Sequence, residues 1–322
     1  MGRLEKRIFS SIFKEQIIHV RNPARRNRNI GTSRQGHGQN NRAVIPFRNV
    51  IVKKKFYERL KDYKVVRKTI NGKKFRFVVE KTRKNIYHCC TVDDMVRVIR
   101  HLPMEDFGDL RLIILRQPTR KEEQLNPVFG RLIYSYEFEK DFEPAIIIEA
   151  VDLSKPFKLS KKLSLDERKE LERLKKDGLQ IWEDKRYYRA EYDLDTLRNI
   201  QLYRTLLHEF GHYVQYYNNV LRPLVPLKQK MEALETLPAT QENNDKWLVA
   251  MDAYHNAISK REDTYFQFPK RELEVFAENY AEKLRHRLEQ KGIIPFERIV
   301  DFNQMRKDGL NPADFVPEEI IM

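Results

Sequence analysis

The chain of 322 residues predicts an α+β fold: a small mixed sheet packed on one long helix, a helical C-terminal half and a basic N-terminal extension. Three observations carry that expectation. Short apolar strand-like runs cluster between residues 64 and 151, and long 3.6-residue periodicities dominate after residue 164. The charge is also lopsided. The net charge is +15, yet residues 1–100 hold 27 Lys/Arg against 7 Asp/Glu, while the remainder hold 35 against 40. A +20 segment joined to a slightly acidic body calls for an acidic partner at one end only.

Taken in order, residues 1–20 carry Leu4, Ile8, Ile12, Phe13 and Ile17 at helical spacing, which predicts an amphipathic helix. Residues 21–45 are rich in Arg, Asn and Gly and read as a flexible basic linker. Residues 46–85 form a basic strand and hairpin segment, with Phe47, Phe56 and Tyr57 among its lysines and a turn at Asn71-Gly72. Residues 86–322 make up the body. Thr91 and Asp94 cap a helix that stops before Pro103, and strands follow at Leu110–Leu115, Arg131–Phe138 and Ala145–Val151. Ser164 opens a charged helix that ends at Gly178, and an aromatic stretch from Ile181 to Tyr192 leads into a helix from Asp193 to about Asn219. Beyond a proline-rich loop, further helices are expected near Lys246–Ser259 and from Glu272 to Gln290.

Several classes are disfavoured. No apolar run is long enough to span a bilayer, and no apolar stretch with a small-residue cleavage site opens the chain, so a cytoplasmic protein is expected. Two cysteines, adjacent as Cys89-Cys90, make no disulfide framework. Nothing in the sequence sets an oligomeric state.

The chemistry concentrates in His208-Glu209-Phe210-Gly211-His212. A spacing of four puts two imidazoles on one helical face, where they can share a Zn²⁺, and Glu209 stands beside them as a general base. At 100° per residue the two His and Glu209 fall on a polar face with Thr205 and Gln201, while Leu202, Leu206, Phe210 and Tyr213 face the core. Gly211, costly inside a helix, implies close approach of a neighbouring strand or substrate backbone. A catalytic zinc needs a third protein ligand. On the last long helix Glu274 lies nearer the apolar stripe than Glu272 or Glu278, which makes it the best placed carboxylate.

The two segments Thr205-Leu206-Leu207-His208-Glu209-Phe210-Gly211-His212 and Glu272-Leu273-Glu274-Val275-Phe276-Ala277-Glu278 resemble the zincin metallopeptidases that take Glu as third ligand. Among these the chain is similar to the catalytic domains of anthrax-lethal-factor-type proteases and, more loosely, to ImmA/IrrE-type peptidases. The first pattern implies Glu274 as ligand, the second Glu272. The resemblance covers about 50 residues and implies a zincin-like body cleaving a protein or peptide substrate. The oxyanion donor of the lethal-factor pattern would fall at Gln267. Tyr265 and His255 are the candidates in its place, and His255 is also an alternative metal ligand. The basic first 90 residues match neither family, and within them residues 1–85 are a possible nucleic-acid contact. Their basic and aromatic composition suits nucleic acid, which leaves a second expectation: a nucleic-acid-binding or regulatory protein with an inactive or sensing zincin domain.

Overall fold

A computed structural model describes residues 60–120, 122, 128–139, 141–163 and 165–317. The expected N-terminal helix, the linker and residues 46–59 lie outside the described residues. The hairpin forms as its turn predicts. Strands β1 (Tyr63–Ile70) and β2 (Lys73–Glu80) pair antiparallel across Asn71 (φ 48) and Gly72 (φ 75), the two left-handed positions of a type I′ turn. This hairpin belongs to the central sheet and is not a module separate from residues 86–322. β2 pairs parallel with β4 (Leu112–Arg116), and its Phe75, Phe77 and Val79 lie in the main core.

The sheet has the order β1-β2-β4-β6-β5. β4 pairs parallel with β6 (Asp141–Glu149), and β5 (Gly130–Phe138) closes the far edge antiparallel to β6 with a register shift between Ile133 and Tyr136. The parallel centre is apolar in continuous runs, Leu112–Leu115 and Ala145–Ile148, because strands buried on both faces have no solvated side to alternate towards. A two-stranded pair, β3 (Ile86–Tyr87) with β7 (Val151–Asp152), lies apart from it.

Helix α1 (Val92–Ile99) links β2 to β4 and begins with the expected reciprocal Thr91–Asp94 cap. Asp94 is fully buried and is paired with the guanidinium of Arg198 at 2.9 Å, while also accepting from the Ile299 amide. This pair ties α1 to the helix that bears the histidines. Breaking one partner of such a pair costs about 3–5 kcal/mol.

The expected charged helix is α2 (Leu165–Lys176), followed by Gly178 at φ 99. The aromatic stretch after it folds as strands β9 (Gln180–Glu183) and β10 (Tyr187–Glu191), and β10 also pairs with β8 (Phe157–Ser160). The long helix then opens on Asp193, whose side chain accepts the Thr196 amide at 2.6 Å. It runs as α3 (Leu194–Ile200), a π-helical stretch (Gln201–Thr205), α4 (Leu206–Tyr216) and a second π stretch (Tyr217–Leu221). The π stretch breaks the 100° phase. Gln201, expected on the polar face, is instead 1% exposed, and its amide donates to the Glu149 carbonyl at 2.8 Å.

The C-terminal half is helical: α5 (Val225–Glu235), α6 (Gln241–Tyr265), α7 (Lys270–Gln290) and the short α8 (Phe302–Lys307). α5 occupies part of the stretch expected as a proline-rich loop. Proline in a first turn starts a helix, since the amide it lacks has no partner there anyway. The fold is thus mixed α+β, with a mixed sheet and a helical C-terminal half. Among the described residues no helix is long and apolar enough to cross a membrane.

Candidate metal centre

His208 and His212 stand one turn apart on α4, whose back is fully packed: Leu206, Leu207, Phe210, Tyr213 and Val214 are all buried. Helix α7 crosses this helix at very short range. A Cβ placed on Gly211 would sit 2.9 Å from the Ala277 carbonyl oxygen and 3.0 Å from its Cα. The glycine therefore serves the approach of a helix backbone, where the sequence pointed to a strand or a substrate. That approach brings Glu274, on the exposed shoulder of α7, over the two imidazoles.

Three donor atoms converge. His208 Nε2 and His212 Nε2 are 3.0 Å apart, and Glu274 Oε2 lies 3.3 Å from the first and 3.5 Å from the second. Two ligands of a tetrahedral zinc, each about 2.0–2.1 Å from the ion, are separated by about 3.3–3.4 Å. The triangle thus has the edges of one tetrahedral face, and its donor set of two imidazoles and a carboxylate suits a divalent ion. The group could hold a metal ion. Hydrogen bonds to His208 and then His212 hold the Glu274 carboxyl well below the usual carboxylate range. Burial opposes charge on His208, but the Glu274 hydrogen bond and the nearby Glu209 charge raise its pKa overall. His212 Nδ1 is buried with no hydrogen-bond partner among the described residues, so packing rather than a second hydrogen bond orients that ring.

Glu209 lies beside the triangle and against the sheet edge. Its Oε2 accepts the Leu132 amide of β5 at 2.7 Å, which leaves Oε1 for chemistry. Burial raises its pKa, partly offset by the charges of His208 and His212. The strand reaches the helix because Gly130 has no side chain: a Cβ there would lie 2.7 Å from the Thr205 methyl.

The remaining candidates separate clearly. Glu272 is exposed on α7 and is not in the group. His255 sits half-buried on α6 beside Tyr254 and is likewise outside it; burial lowers its pKa. Glu278 is engaged by Arg173 of α2. Tyr265 is 1% exposed, and its hydroxyl is 3.4 Å from that of Tyr134. Tyr134 is the residue that the sequence did not single out. It lies on β5 two positions after Leu132, packed against Tyr216 and Phe266, and its pKa is pushed far up, chiefly by burial, then by Tyr265 and the charges of Glu209 and Glu274. Its phenol therefore stays protonated at neutral pH. Only the alternation of a strand opposite the pentad helix would have pointed to it.

No protein-family model, curated protein or solved structure matches this chain. The functional reading accordingly rests on this geometry and on the motifs themselves.

Proposed function

We propose that the chain is a zinc-dependent endopeptidase with a zincin-like body, in which His208, His212 and Glu274 hold the metal. The observation that carries this reading is the near-equilateral donor triangle with the Glu209 carboxylate beside it. A zinc ion held by His208, His212 and Glu274 would supply Lewis acidity, lowering the pKa of a water and polarising a carbonyl oxygen.

Glu209 does the proton work. Its Oε1 takes a proton from the attacking water as the new C–O bond forms, then delivers that proton to the amine nitrogen as the C–N bond breaks. The Leu132 amide fixes the other oxygen, so the base presents one atom in one orientation. Tyr134 is the donor placed to stabilise the negative charge that develops on the carbonyl oxygen. Tyr265 supports it from behind through its hydroxyl contact. The substrate is a protein or peptide chain.

The test is Glu209→Gln in the full chain. Zinc measured by elemental analysis is expected to stay bound while peptide-bond hydrolysis falls by about 10²–10⁴-fold, the range for losing a general base. Unchanged hydrolysis would remove the proposal. Zinc binding without hydrolysis in the wild type would instead support the inactive or sensing scaffold.

A further inference from the structure

The metal group depends on how two helices meet, since α4 carries both histidines and α7 carries Glu274. Gly211 lets the two backbones close on one another at Ala277. Further along α7, the apolar stripe of Ala281, Leu284 and Leu288 packs into the main core. Such a stripe fixes the depth of a helix better than its roll, because apolar contact is non-directional. The roll decides where Glu274 points. At 100° per residue, Glu274, Glu278 and Arg285 fall on one flank of the stripe, within about 40° of one another. Contacts made by the last two therefore govern the aim of the first.

Helix α2 grips that flank. Arg173 and Asp177 stand one turn apart at its C-terminal end, where the Asp177 amide donates to the Arg173 carbonyl at 3.0 Å. Arg173 engages both carboxylate oxygens of Glu278. Asp177 takes two guanidinium groups: Oδ1 accepts from Arg285 and Oδ2 from Arg204, each at 2.8 Å. Arg204 precedes His208 by four residues, in the π stretch that leads into α4. One carboxylate, its side chain 12% exposed, thus joins the helix of the histidines to the helix of the glutamate. Its position does nothing for α2, because a negative charge at a helix C-terminus opposes the helix dipole. What it serves is the two arginines. Leu174 holds α2 down, buried with Ile200 of α3 and with Leu179 and Ala190.

We propose that Asp177 is a positioning residue of the metal group: by pairing with Arg204 and Arg285 together, beside Arg173 on Glu278, it sets the roll of α7 that aims Glu274 at the two imidazoles. This role rests on the reading of His208, His212 and Glu274 as metal ligands. Most exposed ion pairs contribute little, and their loss leaves a distant site unmoved. The pair Lys175–Glu172, 2.8 Å apart, is of that kind: both residues lie on α2 and are exposed, so it ties α2 to nothing else. Asp177 differs because each of its arginines belongs to a different ligand-bearing helix.

The experiment measures zinc affinity of the full chain by competition with a chromophoric chelator, for the wild type, Asp177→Ala, Asp177→Asn and Glu172→Ala. The visible spectrum of each is also recorded with Co²⁺ in place of zinc. Asp177→Ala is expected to bind zinc about tenfold more weakly or worse, the effect of losing an outer partner of a metal site. Its Co²⁺ absorption bands should shift, a signature that lost stability alone does not produce. Glu172→Ala removes the same charge from the same helix and should match the wild type in both readouts. Asp177→Asn keeps the shape and loses the charge; it should also weaken zinc binding, and it carries the test if the alanine variant melts early. Equal zinc affinity in the wild type and both Asp177 variants overturns the inference. An equal loss in Glu172→Ala also overturns it, since net charge would then be the cause. A wild type that binds no zinc overturns the metal reading itself, a result distinct from zinc bound equally by all four proteins.

Discussion

At one edge of the five-stranded sheet, β5 offers the Leu132 amide to Glu209 and packs Tyr134 against Tyr216 and Phe266; at the other, β1 leaves Lys64 and Arg67 exposed. Both are edge strands with backbone groups left over from the sheet, and the two ends deal with them differently. The β5 edge is gathered into the fold by helix α4, through the Leu132–Glu209 hydrogen bond, and carries a register shift between Ile133 and Tyr136. Among the described residues no strand pairs with the outer side of β1, and exposed charge blunts it. The difference teaches where each chemistry can be built. A reaction site needs side chains held to within a fraction of an ångström by neighbours, which the covered edge supplies. An edge that carries no reaction needs only to resist pairing with other chains, which charged side chains supply at β1.

The largest effect should come from removing a donor of the triangle. His208→Ala, His212→Ala and Glu274→Ala are each expected to lose the bound zinc and all measurable hydrolysis, whereas Glu272→Ala retains both. Elemental analysis with a peptide-cleavage assay checks this. Zinc retained in Glu274→Ala but lost in Glu272→Ala would reverse the assignment on α7.

Next is Tyr134→Phe. If the phenol stabilises developing charge, kcat should fall by about 10²–10³-fold with KM nearly unchanged. The packing against Tyr216 and Phe266 survives in Phe, so stability should hold. Tyr265→Phe should cost much less, because among the described residues its hydroxyl reaches only Tyr134. An equal or larger effect from Tyr265→Phe would mean that the deeper residue is the donor.

These two tyrosines also mark how far the sequence could be read. The pentad was legible because two histidines at a spacing of four, backed by Leu206, Phe210 and Tyr213, admit one helical arrangement. Glu274 was legible because it alone of the three glutamates borders the apolar stripe of α7. Tyr134 was not, since nothing local tells which strand residue lies opposite a helix more than 70 residues later, and the register shift beside it alters the simple alternation. Gln201 was misplaced for a related reason: a π stretch rotates it into the core, and no residue pattern announced that stretch. The hairpin was recognised from Asn71-Gly72, but its membership in the sheet depends on β2 pairing with β4 across an intervening helix.

Gly211→Ala should act more gently and on one region alone. The added methyl meets the Ala277 backbone, which cannot swing aside like a side chain end, so α7 must shift relative to α4. Overpacking of this kind costs about 1–3 kcal/mol. Because α7 carries Glu274, zinc affinity should weaken by about tenfold at least, a readout that a purely structural glycine would not move. Unchanged zinc affinity with reduced stability would show that the triangle tolerates displacement of α7.

The smallest effect on activity at neutral pH, and the one that separates the reacting edge from the fold that carries it, concerns acid. Glu209 must be ionised to accept a proton, so hydrolysis should fall as pH drops through its raised pKa. The fold itself also weakens in acid through His88, which is 2% exposed, with Nε2 2.7 Å from the Glu80 carbonyl oxygen, and which burial pushes from 6.5 down to about 4. An unfolded chain takes up that proton near pH 6.5 and the folded one only near pH 4. Stability is therefore complete above about pH 6.5 and is lost as pH falls towards 4, by up to about 3 kcal/mol. His88→Gln keeps a donor for the carbonyl but cannot titrate. Urea midpoints for this variant should fall less between pH 7 and pH 4 than those of the wild type, while the acid limb of hydrolysis stays in place. If the hydrolysis limb moves with the stability limb, the acid loss of activity belongs to unfolding and not to Glu209.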